Sequence, residues 1–420
     1  MLVSFTVQNF RSIYEPVTID LVRNRQSKKI SQIGTGEDFL PVFGIYGANA
    51  SGKSTLLKAF RFLWDFVVGS AGIQNKGDKI WGYEPFAFAD KASNEPSSFV
   101  VEFIADAVLY EYALAFNADC IVYEHLYSWP RGRRTKVFER EGQEFTFLGA
   151  ESERQQRPLA ERTLENRPYL YTSNEWNLSL TEAPFMWFRT VPIFDLNGKG
   201  WRAPAFNDLD NPEKKMKILQ ELKYADFGIS DIIKKPDGEN ERIEIPLEKL
   251  DPELRIAMGI PGSVIGKGSI IFGSTNPQKI QTVHCINGKT VQFSFEKESD
   301  GTSKYLSLMS GILLALEEGK VLMIDEFESS LHPLLVRRIV ELFQDPKRNT
   351  AKGQLIFVSH NTTLLDLNLL EQCQIGFVEK DPDSGATELY TLEDIKGVRN
   401  SENIAKGYLQ GRYGAVPFLA

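Results

Sequence analysis

Four short stretches hold the residue types that handle phosphate. Gly47-Ala48-Asn49-Ala50-Ser51-Gly52-Lys53-Ser54, followed by Thr55, is a complete G-x-x-x-x-G-K-[ST] run. Its glycines let the backbone curl until successive N–H groups point at phosphate oxygens, and a following helix adds its positive end. Lys53 would reach the β- and γ-phosphates, and the Ser54 hydroxyl would ligate Mg²⁺. Chance produces this pattern on the order of once in a hundred chains of average composition. Next, Val321-Leu322-Met323-Ile324 is an apolar strand that ends on Asp325-Glu326. Ligands bind at that edge of parallel sheets. Asp325 would hold the Mg²⁺ shell, and Glu326 would orient or deprotonate an attacking water. Alone, such acids are commonplace solvated strand ends; the phosphate loop gives them a task. His360 leaves a second apolar strand, Leu355 to Val358, 34 residues after Glu326. It could meet the γ-phosphate or the water, although a lone histidine is usually a satisfied core or surface group. Finally, Glu298-Ser299-Asp300-Gly301-Thr302 opens a helix and offers a second phosphate-binding end. Taken alone, it is an ordinary helix cap.

The elements that must position these residues are legible. Val3, Phe5 and Val7 alternate, as do Val17, Ile19 and Leu21, which predicts two strands joined by a turn. Residues 24–38 read as a polar, basic loop. Pro41 to Tyr46 is a short apolar run ahead of the glycine-bounded loop, and Leu56, Leu57, Phe60, Leu63, Trp64 and Val67 make a helical stripe behind it. Residues 69–80 read as loop. From Ser98 to Trp129 the period returns to two, with short breaks at Ala105-Asp106 and Asn117-Ala118-Asp119, which predicts an antiparallel meander. Asn211 followed by Pro212 predicts a capped helix over 211–224. Val291, Phe293 and Phe295 alternate as a strand. Tyr305, Leu308, Met309, Ile312, Leu313 and Leu316 form a helical stripe that Gly319 ends. Buried apolar strands then alternate with helices, the mark of a parallel α/β sheet.

Composition narrows the classes. The chain has 420 residues, 42% hydrophobic and 25% charged, with a net charge of −8. These values exclude a wholly disordered chain, a collagen-like chain and a membrane bundle. No run approaches the ~18 apolar residues of a spanning helix, and Met1 to Phe10 has no signal-peptide pattern. The acidic balance speaks against coating nucleic acid by bulk charge without excluding a local basic groove. Arg131, Arg133, Arg134, Lys136 and Arg140 cluster, but Glu139, Glu141 and Glu144 are interleaved, so they read as a solvated mixed-charge face. Cys120, Cys285 and Cys373 are scattered and odd in number, which supports neither a disulfide framework nor a zinc site. The default is a reducing cytoplasm.

Together the four motifs resemble the head domain of ABC-type ATPases, in the branch that contains the SMC, RecF and OLD proteins. Val7-Gln8-Asn9-Phe10-Arg11-Ser12 looks like that branch's first strand and turn. Ser299-Asp300-Gly301-Thr302 matches its signature loop, Asp325-Glu326 its Walker B pair, Phe327 to Pro333 its D-loop region and His360 its switch histidine. ESDGT, DEFESSLHP, FVSHN, FVEKD and GYLQGRYGAVPFL, with NFRS, GANASGKST and Tyr83-Glu84-Pro85-Phe86, bring the chain closer to RloA-type ATPases of bacterial restriction and abortive-infection loci. The resemblance covers roughly residues 1–130 and 290–420. One departure is the Q-loop: Gln74 is the nearest candidate glutamine and reads as a solvated loop residue.

The resemblance implies a fold and a mechanism. The expected fold is α/β: a P-loop NTPase of ABC-head type, with a mixed, largely parallel sheet core, an antiparallel β lobe and an inserted α+β lobe. Residues 1–129 would be the N-terminal half of the head, 130–290 the insert and 291–420 the C-terminal half. Two heads would pack head-to-tail around two ATPs with Mg²⁺. Ser299, Asp300, Gly301 and Thr302 would act in trans, and Arg11 would lie near the phosphates. The expected reaction is hydrolysis of ATP to ADP and phosphate, slow or awaiting activation, coupled to a switch in anti-phage defence. Only 60 residues follow His360, too few for the metal-dependent nuclease of OLD-type proteins, so an effector would be a separately encoded, nuclease-like protein. The alternatives are a RecF-like ATPase that binds DNA through the 131–140 arginines, and a scaffold that binds ATP without cleaving it. Glu326 and His360 speak against the scaffold.

Overall fold

A computed structural model of the chain describes residues 1–23, 39–89, 91–195, 207–225, 227–234, 242–246, 269–273, 280–399 and 401–417. The loop expected at 24–38 lies outside the described residues. Strands β1 (Leu2–Gln8) and β2 (Val17–Asp20) pair antiparallel, with Phe5 opposite Ile19 and Val7 opposite Val17. The register shifts between Leu2 and Ser4, so the simple alternation breaks: Phe5 and Val7 face the main core, while Val3 packs with Val22, Phe39 and Leu109. β3 (Val42–Gly47) is buried throughout and leads through the phosphate loop into helix α1 (Lys53–Ile73). This helix extends into the stretch expected to be loop. Ser70 bonds its hydroxyl back to the Phe66 carbonyl, and Gln74 closes the last turn.

β4 (Ser97–Ala105), β5 (Val108–Phe116) and β6 (Ile121–Ser128) form the expected meander. Asp106 and Ala107 both take positive φ, 47° and 61°, as a two-residue hairpin turn requires. The sheet does not stop at residue 129. β7 (Thr135–Glu141) pairs with β6, and β8 (Glu144–Phe147) with β7, giving a seven-stranded antiparallel sheet in the order β2-β1-β4-β5-β6-β7-β8. The boundary expected between 129 and 130 therefore falls in a hairpin turn of one continuous sheet.

Helices α2 (Gly149–Ala160), α3 (Tyr169–Glu175) and α4 (Ser179–Thr190) follow, then β9 (Pro192–Asp195). Helix α5 (Pro212–Tyr224) is capped as the sequence indicates: the Asn211 side chain accepts from the N–H groups of Glu213 and Lys214. β10 (Ile229–Lys234), β13 (Ile280–Ile286) and β14 (Lys289–Ser294) make a small antiparallel sheet, and β11 (Arg242–Pro246) pairs with β12 (Ser269–Gly273).

The chain then returns to the second large sheet through helix α6 (Asp300–Glu318), β15 (Val321–Ile324), helix α7 (Pro333–Gln344), β16 (Gln354–Val358), β17 (Ile375–Lys380) and β18 (Thr387–Thr391). The strand order is β18-β17-β3-β16-β15-β9, parallel except for β18. Thus β9, from the middle of the expected insert, is an edge strand of this sheet. Both faces are covered, which is why these strands read as unbroken apolar runs. Phe43, Ile45, Met323, Ile356 and Val358 pack with α1 and the antiparallel sheet; Leu322, Ile324, Leu355 and Phe357 pack with α6 and α7. Between the sheets, Phe62 has the rings of Phe10, Phe99 and Phe116 within 5.5–5.6 Å. Each such buried side chain contributes about 1.5–3 kcal/mol. The chain ends in helix α8 (Ile404–Leu409). Among the described residues no helix is long and apolar enough to cross a membrane.

Candidate nucleotide site

The phosphate loop joins the C-terminal edge of the central strand β3 to α1. Its glycines are there for space and for φ. A Cβ on Gly47 would stand 2.2 Å from the Val378 carbonyl oxygen, and one on Gly52, at φ 110°, would stand 2.2 Å from Thr387 Oγ1. Ala50 also takes positive φ, and Asn49 is exposed at the tip. Gly52 caps α1 without a side-chain acceptor, so the helix keeps a donor-rich N-terminus for an anion. Ser51 is buried, and its hydroxyl has no partner among the described residues. Lys53 is 5% exposed and donates through Nζ to the carbonyls of Gly47 (2.9 Å) and Ala48 (2.7 Å). Burial lowers its pKa, while Asp325 and Glu328 pull the other way. Ser54 and Thr55 are half-buried in the first turn.

Two neighbouring segments brace this loop. Thr387 Oγ1 donates to the Ser51 carbonyl (3.0 Å) and lies 2.8 Å from Ser12 Oγ, which is 3.4 Å from Thr55 Oγ1. Arg11 is the residue before Ser12. Its guanidinium holds Glu84 at 2.8 and 3.0 Å. Beyond Thr387 lies an open cleft of about 440 Å³, bounded by Tyr14, Phe86, Phe88 and the 382–385 turn. Tyr14 stacks on Phe86 at 5.2 Å, and Phe88 is 78% exposed.

The acids lie one strand beyond the adjacent β16. Asp325 is buried; one carboxylate oxygen accepts from the Glu326 N–H (3.1 Å), and its own N–H donates to the Asp195 carbonyl (3.0 Å). Glu326 is exposed and left-handed, at φ 50°. Such strain in a non-glycine residue gathers at functional sites. His360, at the exit of β16, has its pKa lowered by burial and by Lys53, against the pull of Glu328, Glu326 and Asp325. One field therefore joins Lys53, Asp325, Glu326 and His360. Among the described residues no three His, Cys, Asp or Glu side chains gather as a metal ligand set. Mg²⁺ held by Ser54, Asp325, phosphate oxygens and waters needs no such set, and the buried Asp325 carboxylate is the right donor for it.

The signature segment caps α6. Ser299 Oγ accepts from the Thr302 N–H (3.1 Å), and a Cβ on Gly301 would stand 2.7 Å from the Ser330 carbonyl oxygen. Asp300 is exposed in the first turn. No hydrogen bond or ion pair among the described residues links 299–302 to 47–55 of the same chain.

Several residues go unmarked in the sequence. Glu328 accepts from Ser359 Oγ (2.6 Å) and from the His360 N–H (2.7 Å), which anchors the exit of β16. Lys304 donates to the Glu326 carbonyl (3.2 Å). Glu298 is held by Thr282 and, at 2.8 Å, by His284. Nothing local announces these roles, because each partner comes from another element. Two readings need correction. Gln74 is not a solvated loop residue: it is 1% exposed, and its side chain bridges the Lys79 carbonyl and Asn166. Arg140 is not on a solvated face: it is 0% exposed, pairs with the buried Glu124 and donates to the carbonyls of Gly142, Leu164, Glu165 and Arg167. Burial of both is set by partners distant in sequence.

The family described as "AAA domain, putative AbiEii toxin, Type IV TA system" matches residues 42–366. The chain belongs to this family, AAA_21. The AAA_21 span opens on the first residue of β3 and closes just past His360, so it takes in Lys53, Asp325, Glu326 and the signature segment. Two solved structures similar to this AAA_21 chain are an SMC head domain from Thermotoga maritima and an SmcHead bound to the C-winged helix domain of ScpA. The first has 12% identity, covers 93% of this chain and 98% of its own, and has a TM-score of 0.40. The second has 14% identity, 93% and 97% coverage, and a TM-score of 0.37. None of the curated proteins compared matches the chain.

Proposed function

We propose that this AAA_21 chain is an ABC-type ATPase that binds Mg²⁺-ATP at residues 47–55, hydrolyses it and uses the cycle as a switch. The observation that carries the reading is that Lys53, Asp325, Glu326 and His360 stand just beyond the C-terminal ends of three neighbouring parallel strands, β3, β15 and β16. Backbone N–H groups of 47–55 and Lys53 bind the phosphates, and Ser54 and Asp325 hold the metal. Bound there, Mg²⁺ would supply positive charge to offset that of the phosphates. Glu326 takes a proton from the attacking water. His360, kept largely neutral, orients that water or the γ-phosphate. The adenine lies in the open cleft against the exposed Phe88 ring and Tyr14, beside the turn that leads into Thr387.

In this reading two copies close head-to-tail, with Ser299, Asp300, Gly301 and Thr302 of each completing the other's site. The family description names a toxin of a two-component system, which supports a separately encoded effector, and with it a part in anti-phage defence in the cytoplasm. A RecF-like DNA contact at 131–140 is less well supported: Arg134 and Lys136 are already paired with Glu111 and Glu139, and Arg140 is buried. Turnover and ATP binding test the reading together. Glu326→Gln should bind ATP and release no phosphate, and Lys53→Ala should lose binding. Phosphate release at the wild-type rate by Glu326→Gln would refute it.

A further inference from the structure

Lys304 is buried, 5% exposed, in the second turn of α6. Burial lowers its pKa, while acids of two other segments, Asp195 and the pair Glu328 and Glu326, act against that. A buried ammonium is costly unless its partners require it, and an apolar side chain of the same length would fill the space. Its Nζ donates to the carbonyl of Glu326. That carbonyl belongs to a residue in the left-handed region, where a non-glycine residue stays only if its surroundings hold it. The start of the same helix is fixed on other sides. His284 and Thr282 grip Glu298, and Gly301 lies against the Ser330 carbonyl. A rigid rod therefore has the signature segment at one end and, one turn in, a direct bond to the backbone that aims Glu326.

We propose that Lys304 is a positioning residue that couples the two nucleotide sites of the closed dimer, tying the helix that meets the partner's γ-phosphate to the Glu326 that serves its own. The inference rests on the head-to-tail reading above. Nucleotide engaged by Ser299 and Gly301 shifts the start of α6, and Nζ carries that shift to the Glu326 carbonyl. Each site thereby sets the general base of the other. ATP hydrolysis by the wild type is then cooperative, with a Hill coefficient above 1 and at most about 2 for two sites.

The test is steady-state ATP hydrolysis by the full chain as wild type, Lys304→Met, Lys304→Arg and Glu326→Gln, with ATP affinity measured separately. Lys304→Met should lower kcat about 100-fold, the scale of a misplaced catalytic group. Its ATP affinity should stay within about twofold, because the Lys304 side chain bonds the Glu326 backbone and, among the described residues, none of 47–55. Its Hill coefficient should fall to 1. A purely structural loss would lower affinity and kcat together, and that result overturns the proposal, as does a Hill coefficient of 1 in the wild type. Should Lys304→Met not fold, Lys304→Arg decides. It keeps a charged donor, so cooperativity retained supports the proposal, and cooperativity lost with kcat intact overturns it. Glu326→Gln separates the two levels. Turnover surviving there overturns the catalytic reading and this inference with it. Turnover lost there, with Lys304→Met fully active and cooperative, overturns this inference alone.

Discussion

Removing the Glu328 carboxylate should loosen the exit of β16. Its two oxygens accept from Ser359 Oγ at 2.6 Å and from the His360 N–H at 2.7 Å. Ser359 is 0% exposed, and its oxygen also accepts from the Asn361 N–H at 2.9 Å. Glu328→Ala therefore strips a buried hydroxyl of its acceptor. A hydrogen bond to an ionised group contributes about 1.5–3 kcal/mol net. Glu328 is half-exposed, so the lower end applies, and two bonds make about 3 kcal/mol. At about 2 °C per kcal/mol for a large domain, thermal unfolding should begin about 6 °C lower. Glu328→Gln is the control. Its amide oxygen accepts from the His360 N–H, and its NH₂ donates to Ser359 Oγ. That keeps the anchor on the backbone but leaves the Ser359 proton without its acceptor, so it should lose about half as much, about 3 °C. Differential scanning calorimetry reads both. An unshifted Glu328→Ala, or a Glu328→Gln shifted as far as the alanine, would refute the anchoring role.

Three further outcomes follow from the same geometry. His360 has a folded-state pKa below its ordinary value, so it is neutral in the fold and gains a proton on unfolding. Its contribution to stability is complete above pH ~6.5 and is lost as pH falls toward the folded-state value; the melting temperature should drop more between pH 7.5 and 5.5 for the wild type than for His360→Asn, and equal drops would contradict the assignment. Arg140→Met leaves Glu124 buried beside Tyr112 without its cation and should cost about 3–5 kcal/mol in urea unfolding; an unchanged midpoint would contradict the pairing. Phe88→Ala removes the exposed ring of the cleft; base stacking is worth about 1–3 kcal/mol, so calorimetric ATP affinity should fall about tenfold while inorganic triphosphate binds as before.

What the sequence discloses depends on how local each signal is. Lys53, Asp325 and His360 each sit where a buried strand meets its loop, and the apolar runs of β3, β15 and β16 locate them without any knowledge of partners. The Asn211 cap and the Gly319 stop are likewise written within a few residues. Gln74, Arg140 and Lys304 are different. Their burial comes from Asn166, Glu124 and Glu326, which only the fold brings close. β9 has four residues and no period long enough to show, so nothing local ties 192–195 to the parallel sheet. The shift at Leu2 to Ser4 hides in a regular alternation because a bulge changes register and leaves composition untouched.

In the proposed cycle, ATP binding closes two copies of this chain around shared sites, and hydrolysis through Glu326 reopens them. Light scattering of Glu326→Gln on a gel-filtration column, with and without Mg²⁺-ATP, tests it most directly. The account predicts a mass that doubles from 47.5 kDa with ATP and returns to 47.5 kDa when Gly301→Trp is added to block the signature segment. A Glu326→Gln protein that binds ATP yet keeps the same mass with and without it would contradict the account.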